Sequence, residues 1–253
     1  MYRRIDSLEG QVAVITGGAG GIGFATAQRL AERGARIVGI VRRNEVEAQG
    51  MYEGLPNKHL NHFVINAPID NSSAIAEAVT KVKQVAGRCD ILVNTAGITK
   101  RIPLENLDAM DDNTFDEIMK VNVRGTYAVI RAFAPMLQAS KQGLIVTISS
   151  AAGVKTGGSN LAYAASKAAL DSLTRNLSKV LAPNVRVVSI APSAVNTKFL
   201  EGRPQAFFDN TIKNTPLNRV GEADDVACTI EALATTMRFV TGNTFNIDGG
   251  RTI

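Results

Sequence analysis

The sequence predicts an α/β fold: a single domain spanning residues 1–253, built on a doubly wound parallel sheet of about seven strands with helices on both faces. Three observations carry that prediction. Short β-branched, apolar runs alternate with longer segments of helical period, the pattern left by strands joined through crossover helices. The short runs are apolar almost without interruption, as strands are when both faces of their sheet are covered. No shift of composition divides the 253 residues into two parts, a length that one domain of this class accommodates.

In chain order, a β-branched run at 12–16 is the first strand, and it leads through a glycine-rich turn into a helix at 22–33. The second strand, 36–41, precedes a helix at 45–52. Short apolar runs at 63–66 and 91–94 flank a helix at 72–86, where apolar residues recur at helical spacing. A long helical pattern over 114–136 precedes a strand at 144–149, and another over 161–181 precedes a strand at 185–190. A helix at 223–233 and a strand at 244–247 complete the alternation. Residues 193–216 interrupt it: Phe199, Leu200, Phe207, Phe208 and Ile212 lie among polar residues in a connection long enough to serve as a substrate lid.

Composition excludes several classes. With 45% hydrophobic and 20% charged residues, the chain has the make-up of a globular domain rather than a disordered one. No run approaches the roughly 18 apolar residues of a membrane span. The N-terminal stretch Met1 to Glu9 turns polar and acidic where a signal peptide needs an apolar core, so the expected location is the cytoplasm. Cys89 and Cys228 are isolated, with only His59 and His62 as further soft ligands, which argues against a structural zinc or a disulfide framework and leaves no metal expected. The net charge of +5 comes from scattered Lys and Arg. Such scatter suits an anionic small molecule better than nucleic acid.

Thr16-Gly17-Gly18-Ala19-Gly20-Gly21-Ile22-Gly23 joins the first strand to its helix. Glycines there let the backbone turn tightly and approach a pyrophosphate at the positive helix N-terminus. Two registers fit, Gly17-x-x-x-Gly21-x-Gly23 and Gly18-x-Gly20-x-x-Gly23. A site for NAD places an acid about 20 residues further on, against the ribose hydroxyls. Here the second strand ends Val41-Arg42-Arg43, and no carboxylate follows until Glu45. Two guanidiniums match the 2′-phosphate of NADP through forked, charge-assisted hydrogen bonds, so NADP(H) is favoured over NAD(H).

The fifth strand ends Ile148-Ser149-Ser150, and the next long helix opens with Tyr163-Ala164-Ala165-Ser166-Lys167. Tyr163 and Lys167 at i and i+4 share one helix face, and an ammonium there is expected to pull the phenol's pKa down from about 10 toward a range useful for proton transfer. A hydroxyl at the carboxyl end of a strand can meet that pair, because open α/β sheets bind ligands along that edge.

At these residues the chain resembles the short-chain dehydrogenase/reductase family, in its branch of about 250 residues, and the likeness runs from Thr16-Gly17 to Asp248-Gly249-Gly250. Its further carriers are Asn94-Thr95-Ala96-Gly97, Asn122 within Val121-Asn122-Val123, and Ala191-Pro192 followed by Thr197. The resemblance implies a Rossmann-type fold and hydride transfer between a nicotinamide cofactor and a secondary alcohol or ketone. It makes Tyr163 the general acid and base and Ser150, rather than Ser149, the donor to the substrate oxygen. Lys167 would bind the nicotinamide ribose and hold the phenol's pKa down, while Asn122 would fix a water leading from Lys167 to solvent. The cofactor would meet Gly17, Gly21, Ile22, Gly23, Arg42, Arg43, Asn66, Asn94, Ala96, Gly97, Tyr163, Lys167, Pro192 and Thr197. The family also implies a homotetramer or homodimer. Three positions depart from its pattern: Thr95 replaces a second asparagine, Asn66 with Pro68 behind it replaces an aspartate that accepts from adenine, and Ser193 replaces a glycine.

Two other functions share this fold. A nucleotide-sensing or scaffold protein without turnover would tolerate loss of Tyr163 or Lys167, and both are present. An epimerase or dehydratase needs a larger C-terminal substrate region than this chain has after Asp248. The substrate remains open among a 3-oxoacyl thioester, a sugar-derived ketone, a steroid and an aromatic alcohol. The expected pocket positions Thr99, Lys100, Ala151, Val154, Lys155 and Asn160 suit a polar or anionic carbonyl compound.

Overall fold

The computed structural model describes residues 6–155 and 157–253; the part of the leader reading that concerns residues 1–5 lies outside them. Among the described residues nine strands run in chain order: β1 (Val12–Thr16), β2 (Arg36–Val41), β3 (Phe63–Asn66), β4 (Ile91–Asn94), β5 (Gly143–Ile148), β6 (Val185–Pro192), β7 (Val195–Asn196), β8 (Gly221–Glu222) and β9 (Thr244–Ile247). Seven form one sheet in the order β3-β2-β1-β4-β5-β6-β9, and every pairing in it is parallel. β7 and β8 pair separately as a short ribbon. Parallel neighbours need crossovers, and helices supply them: α1 (Gly21–Glu32), α2 (Glu45–Glu53), α3 (Ser72–Val85), α4 (Asp112–Met119), α5 (Thr126–Ala139), α6 (Ala151–Val154), α7 (Leu161–Val180), α8 (Gln205–Lys213) and α9 (Ala223–Thr235).

Side chains alternate across the sheet and fill two cores. Ala13 and Ile15 of β1 face α1, α2 and α9, packing with Leu30, Tyr52 and Ile230. Val14 faces α3 and α5, among Ile75, Val82, Val129 and Phe133. Between β1 and β4 the winding reverses. The loops after those strands therefore diverge, and the crevice between them is where a ligand sits in this architecture. Register places Thr16 beside Asn94 and Ile40, so the glycine turn, the Asn94 loop and the Arg42 end of β2 all leave the same edge.

The helix expected over 114–136 is divided. α4 stops at Met119, a π-helical turn occupies Lys120–Gly125, and α5 begins at Thr126. Buried positions keep recurring at helical spacing through all three, with Ile118, Val121, Val129 and Phe133 among them, so periodicity alone cannot reveal the widened turn. Such turns collect at functional sites, and this one carries Asn122. Residues 193–216 are also more structured than a bare loop: they hold β7, a 3₁₀ turn at Lys198–Leu200 and α8. Phe199 is exposed, whereas Phe207 and Phe208 are half-buried, their rings edge to face at 5.5 Å.

Candidate active site

A cleft of about 740 Å³ opens along the carboxyl edge of the sheet. At one end stands the glycine turn. Gly17 has φ +67, the left-handed conformation that glycine adopts without strain, and a Cβ on Gly23 would lie 2.3 Å from the Gly17 carbonyl oxygen. Gly17, Gly21 and Gly23 all line the cleft, whereas Gly18 of the other register does not and packs against Tyr52. Gly20 caps α1 without a side-chain acceptor and the first turn contains no acid, which leaves its N–H groups for an anion. Beneath the turn the Tyr52 hydroxyl donates to the Gly18 carbonyl at 3.2 Å. Tyr52 is fully buried, and sequence reading had no signal for this role.

The β4 loop forms the next wall. The Thr95 hydroxyl donates to the Thr16 carbonyl at 2.6 Å, tying this loop to the end of β1. Gly97 presses against Asn122, where a Cβ would stand 3.3 Å from the Asn122 Oδ1 and 3.7 Å from the Lys167 Nζ. Asn122 is wholly buried. Its Oδ1 accepts from the Ile98 N–H at 2.8 Å, and its Nδ2 donates to the Ile98 carbonyl at 3.0 Å and to the Ser166 hydroxyl at 3.1 Å. Ser166 in turn donates to the Tyr163 carbonyl at 2.7 Å. The Asn122 side chain is therefore occupied in bracing the β4 loop against the turn of α7 that carries Tyr163.

α7 starts where it does because Asn160 caps it, accepting from the Tyr163 N–H at 2.6 Å while its Nδ2 donates to the Lys100 carbonyl at 2.6 Å. Tyr163 stands half-buried in the cleft with its ring 6.1 Å from that of Phe199. Lys167, one turn on, is buried, donates to the Ile148 carbonyl at 2.7 Å and lies 5.5 Å from the Tyr163 ring centroid. The two serines separate clearly. The Ser149 hydroxyl donates to the Lys167 carbonyl at 3.0 Å and so anchors α7, whereas the Ser150 hydroxyl lies beside the Tyr163 phenol and accepts from the Ala152 N–H at 3.2 Å.

Electrostatics here correct one expectation. Burial pushes the Tyr163 phenol up to about 12, partly offset by the Ser150 hydroxyl, instead of Lys167 pulling it down. Burial likewise lowers Lys167 to about 8, against the opposing pull of Asp171. With its ammonium over the ring face and bonded to a backbone oxygen, Lys167 gives the phenol less than removal from water takes away. Asp171, one turn beyond Lys167, accepts from Ser189 at 2.7 Å and Thr244 at 3.1 Å. Its i+4 spacing from Lys167 is a signal that the sequence itself carries.

Gly17, Gly21, Ile22, Gly23, Arg42, Arg43, Ala96, Gly97, Pro192 and Thr197 all line the cleft together with Tyr163, Lys167 and Ser150. Asn66 and Asn94 do not: Asn66 is exposed at the end of β3 opposite Val41, and Asn94 lies inside the sheet, its side-chain amide without a hydrogen-bond partner among the described residues. Of the expected pocket positions, Thr99, Ala151 and Lys155 line it, while Lys100 reaches away to Thr114, Val154 points to solvent and Asn160 is wholly buried as the α7 cap. Arg101 and Arg251 also line the cleft and were not foreseen, and Arg203 lines it from within the expected lid.

Comparison with known proteins places this geometry. A family model described as enoyl-(acyl carrier protein) reductase matches residues 17–252. The chain is 36% identical to a 3-oxoacyl-(acyl-carrier-protein) reductase of Thermotoga maritima over 97% of this chain and 99% of that one. It is 34% identical to a 7alpha-hydroxysteroid dehydrogenase of Clostridium sardiniense, over 96% and 94%. Among solved structures, a gluconate 5-dehydrogenase from Burkholderia cenocepacia, in complex with NADP and tartrate, superposes with a TM-score of 0.91 at 31% identity and 98% coverage of both chains. Matched over nearly its whole length by that family model and by these relatives, the chain belongs to the short-chain dehydrogenase/reductase family and is an NAD(P)-dependent oxidoreductase of alcohol and keto groups.

Proposed function

We propose that the cleft takes NADP(H) in preference to NAD(H) and that Tyr163 exchanges the proton with the substrate oxygen. The observation that carries the cofactor reading is the end of β2. Val41 offers no acceptor there, and Arg42 and Arg43 are exposed on the cleft wall with no hydrogen bond or ion pair to another described residue. Each charge-assisted bond to a phosphate contributes about 1.5–3 kcal/mol, so one well-formed bond gives a preference of about tenfold or more. The test compares kcat/KM and Kd for both cofactors in the wild type and in Arg42→Ala. A preference for NADP(H) that shrinks in the variant and weakens with added salt is expected; equal values, or a preference for NAD(H), in the wild type would overturn the reading.

With its pyrophosphate held at the glycine turn and its nicotinamide ribose at Lys167, the cofactor would supply or accept the hydride. In reduction, Tyr163 Oη gives its proton to the carbonyl oxygen while Ser150 donates a hydrogen bond to the same atom, stabilising the developing alkoxide. Oxidation reverses the transfer, with Tyr163 as base. Lys167 supports the phenolate, and Asn122 acts as a positioning residue that holds the β4 loop to α7. Residues 193–216 serve as the lid, with Phe199 set against Tyr163.

A second copy of this chain is the partner we assign to the α4 and α5 face, giving a homodimer or homotetramer. Tyr127 and Phe115 are 41% and 39% exposed there, and the adjoining groove carries Asp116 and Glu117 as well as Lys120 and Arg124. A surface holding both signs beside apolar rings can complement itself across a two-fold axis. Two unpaired cysteines suit a reducing compartment, in keeping with the cytoplasm.

A further inference from the structure

Eight basic side chains line the cleft and, among the described residues, no acidic one does. Arg42, Arg43 and Lys167 belong to the roles already given. Arg101, Lys155, Lys198, Arg203 and Arg251 do not, and they come from four separate segments: the loop after β4, the end of α6, the lid and the C-terminal tail. The backbone ties them together. Arg101 donates to the carbonyls of Glu201 and Gly202, Lys155 donates to the Thr252 carbonyl at 3.2 Å, and Arg251 donates to the Thr211 carbonyl at 2.9 Å. Cations gathered by the fold, with no carboxylate of the chain among them, leave the compensating charge to a ligand.

Arg203 is the most informative of the five. It is half-buried, its guanidinium lies 4.7 Å from the Phe207 ring centroid, and its Nε is shut off from water with no acceptor among the described residues. Burial and the charge of Arg101 both push Arg203 below the ordinary arginine value. A buried donor left unpaired beside a like charge is costly, and an anion removes both costs at once. The flat fork of a guanidinium, held on an aromatic face, matches a carboxylate in two parallel hydrogen bonds.

We infer that the substrate is a ketone or secondary alcohol that carries a carboxylate, and that Arg203, supported by Arg101, binds that carboxylate while the reacting oxygen meets Tyr163 and Ser150. This rests on the oxidoreductase reading of the same cleft. It also gives the lid a reason to close, since Arg203 is one of its residues and the anion would neutralise it.

Two measurements test the inference. In the first, malonate and its neutral diamide are titrated against the NADP⁺-loaded protein by calorimetry. Malonate is expected to bind and malonamide to bind at least about tenfold more weakly, with a similar loss of malonate affinity in Arg203→Gln and in the exposed Arg101→Gln. Equal binding of the two, or an unchanged affinity in both variants, would overturn it. In the second, short oxo acids are compared with their methyl esters and with acetoacetyl-pantetheine as oxidants of NADPH. The acids should lead in kcat/KM and lose that lead in Arg203→Gln, with Arg203→Lys in between. Equal or better use of the esters or the pantetheine thioester would sink the carboxylate and leave the oxidoreductase intact. Failure of every ketone to oxidise NADPH would count against the oxidoreductase reading instead, and the malonate titration would still decide the anion site.

Discussion

Tyr163 and Lys167 are one helical turn apart, yet burial dominates both, raising the phenol to about 12 and lowering the ammonium to about 8. Replacing Tyr163 by Phe removes the proton donor but little ground-state affinity. We expect kcat to fall by about 10²- to 10⁴-fold while the Kd for the cofactor stays within a few-fold, measured by stopped-flow turnover and fluorescence titration. Wild-type turnover in Tyr163→Phe would remove it from the mechanism. Lys167 predicts a pH effect whose sign follows from its direction. Its folded value, about 8, lies below the ordinary 10.5, so between those values the unfolded chain binds more protons at this position and the Lys167 contribution to stability improves as pH rises. Below about 8 the full cost of a buried ammonium is present. A lysine ¹³Cε resonance titrating near 8, and missing from Lys167→Arg, is the expected signature. The pairing of these residues was legible from their spacing. Their pKa values were not, because burial and the Ile148 carbonyl are supplied by other parts of the chain.

The divided helix and the lid show what local patterns leave out. Asn122 lies in a π-helical turn because its side chain is called away to Ile98 and Ser166, partners 24 and 44 residues distant in sequence. Asn122→Leu keeps the volume and loses three hydrogen bonds, leaving the Ile98 backbone groups without their partners. A loss of about 1–3 kcal/mol in stability is expected, with a drop in kcat larger than any change in cofactor Kd; urea unfolding and steady-state kinetics check it. For residues 193–216 the expectation is fast hydrogen exchange in the free protein and protection once NADP(H) and a carboxylate ligand are added. Free-state protection equal to that of β1 and β4 would rule out a lid. The break in alternation marked this segment in the sequence, but α8 within it was hidden, since its Phe207 and Phe208 read as lid residues rather than as one face of a helix.

Long-range ties hold the layers in register. Glu231 of α9, only 8% exposed, accepts from Arg29 of α1 at 2.7 Å and from Arg33, the residue that caps the end of α1. The guanidiniums are partly open to water, so their pairing is worth less than a dry ion pair. Glu231→Gln should cost about 1–2 kcal/mol and lower Tm by a few degrees while leaving kcat/KM unchanged, since none of the three lines the cleft. An unchanged Tm would mean that Glu231 adds nothing to the joint of α1 with α9, leaving it to apolar packing and to the pair that Arg29 makes with Asp224 of α9. The proposed oligomer is tested by light scattering coupled to size exclusion; a monomer at micromolar concentration would refute it.

The seven strands of the main sheet, its parallel class, the glycine turn and the spacing of Ser150, Tyr163 and Lys167 were legible in the sequence alone, because each depends on periodicity or on residues a turn or two apart, whereas the two-residue strands β7 and β8 were too short to leave a pattern. The difference between the glycine registers, with Gly17 and Gly21 at the cleft and Gly18 against Tyr52, and the protonation of Tyr163 and Lys167 both needed the folded packing. The basic group around Arg203 was invisible along the chain, where Arg101, Lys155, Arg203 and Arg251 are separated by dozens of residues and interspersed with acids. Only the folded arrangement gathers the cations at one cleft and turns the acids elsewhere, since charge is felt over distances in space rather than along the chain.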